Sequence, residues 1–110
     1  MAVKLITDIP GPNSIALLER REKSVAKGHG SVCDIFIQKA ESAFLTDVDG
    51  NVFIDFAGGI GSMNVGHMHP EVITRAEKQL QKYIHTCFTV APYEGYVKLA
   101  EKLSNKAPIK

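Results

Sequence analysis

A glycine-rich stretch at residues 57–69, AGGIGSMNVGHMH, is a place where this chain could hold a ligand. Gly61 and Gly66 have the spacing of a nucleotide-binding P-loop. However, His67 stands where that loop needs lysine, and Met68 where it needs serine or threonine. Nucleotide binding is therefore disfavoured. Two interpretations stay open: a tight backbone turn, which glycine permits, or a close approach of the backbone to another ligand.

His67 and His69 form an HxH pair that could ligate a metal ion. A zinc site needs a third and usually a fourth ligand, and His29 and His85 do not lie in a cluster with this pair. We therefore expect no metal site. Instead, His69 is expected to cap the helix that follows, and His67 to bond to nearby backbone.

The pattern Asp47-x-Asp49-Gly50 resembles the start of a calcium-binding loop. That loop has glycine at its sixth position and glutamate at its twelfth, whereas here glycine comes fourth and Gly58 comes twelfth. A β-hairpin explains the pattern better, because β-prone residues flank Asp49-Gly50 on both sides. Both positions of a favoured two-residue hairpin turn require positive φ, which Asp-Gly can supply.

The sequence contains no recognisable pairing of a nucleophile with a base. Cys87 falls on the apolar stripe of a predicted helix, which favours a small buried side chain over a reactive thiol. Cys33 is distant from it, and no CxxC motif occurs. With two cysteines and no signal-peptide core, we expect free thiols and a cytoplasmic protein.

The elements that position these residues begin with an extended arm at residues 1–12, because Pro10-Gly11-Pro12 disfavours regular structure. A helix is predicted next, capped by Asn13 or Ser14 and running to about Lys27. Short strands are predicted after it, with the last two joined by the Asp-Gly hairpin: 35–37, 43–46 and 52–56.

Two further helices are predicted after the glycine-rich stretch. Pro70 occupies the favoured first position of a helix, and apolar residues recur at steps of three and four as far as Cys87. A third helix is predicted over about residues 93–105, where Glu94 and Lys98 have the favourable i,i+4 order. The chain stops directly after this helix, which we interpret as a truncation.

The composition is that of an ordinary globular domain. The chain has 110 residues, 45% of them hydrophobic and 23% charged, with a net charge of +1. No basic patch points to nucleic acid, and no apolar run is long enough for a membrane span. We expect neither partner. The order of elements predicts an α+β segment: a helix, a small antiparallel sheet, then helices.

Three strings resemble, in this order, the N-terminal region of class III aminotransferases, over roughly residues 10–108: GPNSIALLERRE, TDVDGNVFIDFAGGIGSMNVGHMHPEV and KYIHTCFTVAPYEGYVKLAEKL. The central string has the family's order of Asp-Gly hairpin, aromatic-Ile-Asp-Phe strand, glycine loop and Gly-His-x-His-Pro. Within the family, His85–Phe88 followed by Pro92–Glu94 resembles bacterial 4-aminobutyrate aminotransferases in particular.

The resemblance implies an α/β fold type I transferase dependent on pyridoxal phosphate. Residues 13–110 would then be an N-terminal small-domain segment leading toward a missing large domain that binds the cofactor. It implies transfer of the amino group of 4-aminobutyrate to 2-oxoglutarate, with pyridoxal phosphate held by lysine as a Schiff base. It also implies a homodimer or a dimer of dimers.

The resemblance places no catalytic, cofactor-binding or metal-binding residue in this span. It does imply that Ile60 borders the substrate and that Phe88 and Thr89 lie at the mouth of the pocket, although family members often have Gln in place of Thr89. By themselves, the three residues also fit a loop anchor and packing at a helix end. Two other functions stay open: a non-catalytic structural or interaction fragment, or a sister transaminase acting on acetylornithine, ornithine or β-alanine.

Overall fold

The computed structural model describes residues 2–107. The chain divides into two compact units, Met1–Ile73 and Thr74–Lys110. The elements, in chain order, are α1 (Pro12–Ser24), β1 (Ile37–Glu41), β2 (Phe44–Asp47), β3 (Val52–Ile54), α2 (Gly58–Gly61), α3 (Pro70–Leu80) and α4 (Glu94–Lys106). The residues interpreted as a truncated end, 108–110, lie outside the described part, and the division into an arm and a small-domain segment stays a prediction.

The first unit contains an antiparallel sheet in the order β1-β2-β3. The predicted hairpin is confirmed, since β2 pairs with β3 and Thr46 faces Val52. Its turn is longer than predicted: a backbone hydrogen bond joins Asp47 to Asn51, so the loop between them is Val48 to Gly50. Of the two predicted turn residues, Asp49 and Gly50, only Gly50 has positive φ, at 87°. The two-residue turn was therefore wrong, because a longer loop lets Asp49 keep an ordinary backbone conformation.

The first predicted strand is shifted along the chain. It was expected at residues 35–37, but β1 begins at Ile37, which faces Asp47. High β-propensity in the apolar run before it does not set the bounds of the strand. Regular pairing with β2 begins at Ile37, and the Phe36 carbonyl keeps one further hydrogen bond, from the Val48 N–H at 2.8 Å.

Helix α1 begins earlier than predicted and is capped from a distance. Its N-cap residue is Gly11, and neither Asn13 nor Ser14 caps it. Instead, the carboxylate of Asp49 accepts the backbone N–H groups of Asn13 at 2.7 Å and Ser14 at 2.9 Å. These amides of the first helical turn have no partner within the helix, so Asp49 caps the helix in place of a local side chain. The helix ends at Ser24, not near Lys27, because Val25 is extended.

The polar contacts beside the hairpin are the most buried part of the described chain. Asp47, Asn51 and Ser14 are fully buried, whereas no hydrophobic side chain among residues 2–107 is. The Asn51 side chain accepts N–H groups from Ile6 at 2.8 Å and Thr7 at 3.1 Å. It also donates to Asp47 Oδ2 at 2.8 Å. The hairpin therefore holds the N-terminal residues through hydrogen bonds.

The second unit confirms the last predicted helix and corrects the one before it. Helix α4 begins at Glu94, whose carboxylate lies 2.9 Å from Lys98 Nζ in the predicted i,i+4 pair. Helix α3 ends at Leu80, so the prediction that it continues to Cys87 was wrong. Cys87 lies in a left-handed turn with φ of 54° and is exposed. The expected burial of its thiol on a helix face was also wrong.

Large apolar side chains on α3 and α4 remain open to solvent. Val72, Leu80, Leu99 and Leu103 are each more than half exposed. Periodic apolar residues thus give both helices an apolar face, and the described residues do not bury it. Among residues 2–107, no helix is both long and apolar enough to cross a membrane.

Candidate functional site

The segment from Asp55 to His67 is a loop whose two ends meet at the β1–β2 turn. The Asp55 N–H donates to the Ala43 carbonyl at 2.9 Å. The backbones of His67 and Ser42 exchange two hydrogen bonds, at 2.9 and 2.8 Å. A Cβ atom on Gly66 would lie 3.1 Å from the Ser42 carbonyl oxygen, so glycine allows this close approach. We call residues 55–67 the closed loop.

The side chain of Asp55 connects both ends of the closed loop. Its Oδ1 accepts the N–H groups of Ala57 at 3.0 Å and Gly58 at 2.9 Å. Its Oδ2 lies 2.7 Å from Nε2 of His67. The hydrogen bond from His67 and those from the two amides outweigh partial desolvation and hold the pKa of Asp55 below its ordinary value. Asp55 is therefore an anionic acceptor at neutral pH.

The predicted roles of the two histidines need correction. His67 bonds to a carboxylate side chain, in addition to its backbone pairing with Ser42. The side chain of His69 does not cap α3: its Nδ1 atom is buried without a hydrogen-bond partner among the described residues, and only its carbonyl accepts the Ile73 N–H. Among residues 2–107, no group of three possible metal ligands occurs.

The closed loop presents Ile60 on a left-handed turn. The φ angles of Gly58, Gly59, Ile60 and Gly61 are 52°, 58°, 56° and 78°. Glycine adopts this conformation readily, but a β-branched residue does so only under constraint from its surroundings. The Ile60 side chain is 97% exposed. It is therefore held in an unfavourable backbone conformation without any packing of its own to explain it.

Phe88 and Thr89 lie in the second unit, beside the start of α4. The ring of Phe88 stacks on Tyr96 at a centroid distance of 4.2 Å and meets Tyr93 edge-on at 5.5 Å. Thr89 is exposed, and its Oγ1 lies 3.2 Å from Cys87 Sγ. This contact with Thr89 contributes most to lowering the pKa of the Cys87 thiol. Phe88 is thus an anchored ring, and Thr89 is an exposed residue whose hydroxyl contacts the Cys87 thiol.

Sequence reasoning placed Ile60 in the loop but missed the Asp55–His67 pair. The available signal was an aspartate directly after a strand, followed by a histidine at the far end of a glycine-rich segment. The pairing could not be read from the sequence, because twelve positions of irregular backbone separate the two side chains.

The lysines of the described residues do not fit the attachment of pyridoxal phosphate. Every lysine among residues 2–107 is exposed. Lys39 and Lys98 are in addition paired with glutamates, at 3.1 and 2.9 Å. A lysine that bonds covalently to a cofactor must instead lose its proton readily, as it does in a desolvated pocket. As exposed groups, the lysines of residues 2–107 lack that desolvation.

Curated relatives align with most of this chain. A 5-aminovalerate aminotransferase of Pseudomonas aeruginosa is 44% identical over 93 residues, which are 84% of this chain and 22% of that protein. A 4-aminobutyrate aminotransferase of Escherichia coli is 44% identical over 92 residues, with the same two coverages of 84% and 22%. The chain thus spans less than a quarter of the length of these relatives.

The fold is also that of solved transaminases. The crystal structure of an omega-transaminase from Sphaerobacter thermophilus superimposes with a TM-score of 0.79 and 23% identity, covering 90% of this chain and 23% of that one. The predicted fold class, an α+β segment of a transaminase, is confirmed. Residues 24–110 match the aminotransferase class-III family. Since that match covers most of the length of this chain, the chain belongs to the class-III aminotransferases.

Proposed function

We propose that this chain is the N-terminal part of an aminotransferase that moves the amino group of 4-aminobutyrate, or a similar ω-amino acid, to 2-oxoglutarate. The observation that carries the proposal is the 44% identity to relatives named for 4-aminobutyrate and 5-aminovalerate. Both named donors are unbranched, with the amino group at the end opposite the carboxylate. They differ by one methylene.

Pyridoxal phosphate is the proposed cofactor, and it supplies an electron sink for the bond changes at the carbon that carries the amino group. It is held by residues other than those described, in agreement with the exposed lysines. The chain's own contribution is to shape the substrate pocket. We further propose, on the family resemblance, a cytoplasmic enzyme that forms a homodimer or a dimer of dimers.

Ile60 is the residue proposed to contact the methylene chain of the donor. Its side chain is apolar and exposed, and its backbone is held by the closed loop. An ω-amino acid such as these presents only CH₂ groups between its charged ends, so an apolar side chain held at a fixed position in the pocket suits it. Phe88 and Thr89 are proposed at the pocket mouth, where the aromatic contacts of Phe88 with Tyr93 and Tyr96 keep its ring in place.

The test is a donor panel on the full-length enzyme that contains this chain. Glutamate formation from 2-oxoglutarate is measured with 4-aminobutyrate, 5-aminovalerate, β-alanine, ornithine and N-acetylornithine, and pyruvate replaces 2-oxoglutarate as the acceptor control. We expect the highest kcat/KM with 4-aminobutyrate or 5-aminovalerate. A preference for N-acetylornithine or ornithine would identify a sister transaminase. A complete absence of glutamate with every donor would favour a non-catalytic role.

A further inference from the structure

Asp55 and His67 close the loop that carries Ile60, and we propose that this pair sets the enzyme's preference between ω-amino acids of different length. The two are positioning residues: they act on the donor through Ile60. The inference rests on the proposed function, because it takes Ile60 as the contact with the donor's methylene chain.

The first step of the argument is that one carboxylate reaches both ends of the closed loop. Oδ1 of Asp55 holds the amides of Ala57 and Gly58, directly before the left-handed turn. Oδ2 bonds to His67, where the loop returns to the sheet. The start of the turn and the return of the chain are therefore held to the same group.

The second step is that this link is shielded from water. The side chains of Asp55 and His67 are 7% and 18% exposed. A hydrogen bond to a carboxylate is strengthened where water is excluded, so this pair is a firmer tie than an exposed ion pair such as Lys39–Glu41, whose side chains are 64% and 54% exposed.

The third step is the conformation that the tie maintains. Ile60 has φ of 56° and its side chain is 97% exposed, so it has no packing of its own to keep it in place. A strained β-branched residue persists in this region only where its surroundings enforce the conformation. The hydrogen bonds at Ala57 and Gly58, and the link to His67, supply that constraint. Without it, the turn can relax and Ile60 moves.

The consequence is a change in specificity. Donors of four and five carbons differ by one methylene, and a pocket distinguishes one methylene through the fixed position of an apolar wall. A displacement of Ile60 therefore changes kcat/KM for the two donors unequally. A purely structural role of the pair would instead reduce both activities in the same proportion, because fewer molecules would be folded.

The experiment measures the ratio of kcat/KM for 4-aminobutyrate to kcat/KM for 5-aminovalerate in the full-length enzyme. The variants are Asp55→Ala, His67→Ala and the double variant. We expect each single variant to change the ratio by about tenfold, the lower end of what one methylene is worth in a pocket. The double variant should match Asp55→Ala, because the removal of Asp55 already breaks the link to His67.

Two further variants separate positioning from stability. In Asp55→Asn, the amide oxygen can still accept the N–H groups of Ala57 and Gly58, and its NH₂ can donate to a neutral His67, so the ratio should return toward that of the unmodified enzyme. Asn51→Ala removes a buried hydrogen-bonding side chain at the opposite end of the same hairpin. It should lower the melting temperature and leave the ratio unchanged.

An unchanged ratio in folded Asp55→Ala and His67→Ala overturns the inference, as does an equal change of ratio in Asn51→Ala. If an alanine variant does not accumulate, His67→Leu is measured in its place, because its side chain fills much of the same space and has no N–H group to donate to Asp55; an unchanged ratio there also overturns the inference. An unmodified enzyme that transaminates neither donor refutes the proposed function instead.

Discussion

Replacing Asn51 with alanine should weaken the hold of the hairpin on the N-terminal residues. The Asn51 side chain makes four hydrogen bonds: it accepts from the amides of Ile6 and Thr7, and donates to Thr7 Oγ1 and Asp47 Oδ2. Each intramolecular hydrogen bond contributes about 1 kcal/mol net, and a buried group left without its partner costs about 1–3 kcal/mol. Water that enters the vacated space offsets part of this loss. We expect a loss of about 3–5 kcal/mol in the free energy of unfolding.

The assay is chemical denaturation of the full-length enzyme, combined with hydrogen exchange at the amides of Ile6 and Thr7. These two amides should lose their protection in Asn51→Ala. The matched control is Asn105→Ala, on an exposed position of α4, which should change stability by no more than about 0.5 kcal/mol. A loss below about 1 kcal/mol in Asn51→Ala, with the two amides still protected, would refute the reasoning.

Three further predictions concern the pocket, the helix cap and the cofactor. Ile60→Tyr should lower kcat/KM for 4-aminobutyrate by about tenfold with little change in melting temperature, because the side chain is exposed; a large thermal loss with unchanged donor preference would mean that Ile60 is packing. Partial desolvation raises the pKa of Asp49, but hydrogen bonds from Ser14 and Asn13 outweigh it and leave the pKa below its ordinary 3.8. The stabilisation is therefore present above that value and lost as pH falls through the folded-state pKa, so urea midpoints of the unmodified protein and Asp49→Asn should converge in acid; a constant difference across the pH series would contradict this. Finally, the 110-residue chain mixed with pyridoxal phosphate should show no stoichiometric visible band of lysine-bound cofactor after dialysis, since its described lysines are exposed; a retained band would show that one of them is suited to attachment.

Several elements were predictable because their signals are local. The Asp-Gly hairpin and helix α4 with its Glu94–Lys98 pair depend on turn chemistry and on side chains four residues apart. The glycine-rich stretch likewise indicated irregular backbone, and Ile60 does lie on a left-handed turn within it. The family could be assigned from the order of these same motifs, and the match over residues 24–110 agrees with it.

Other features were not predictable because their causes lie far along the chain. A helix start near Asn13 was expected to use a local side chain, but the cap is the carboxylate of Asp49 on the hairpin. Apolar spacing alone suggested that α3 continues to Cys87, yet the helix ends at Leu80. Periodicity describes which residues could share a helix face, and it does not say where the backbone stops being helical.

The sequence by itself determined the turn-forming residues, the amphipathic helices and the family, because each depends on residue types at short spacing. Only the tertiary structure decided which side chains meet at the candidate site. Asp55 and His67 come together because Ala43 and Ser42 hold the two ends of the loop at the same turn of the sheet. Once the backbone has closed in this way, a carboxylate and an imidazole lie 2.7 Å apart, shielded from water, and Ile60 is left facing outward on the strained turn between them. Such a contact depends on where the chain returns in space, and residue spacing along the sequence does not contain that information.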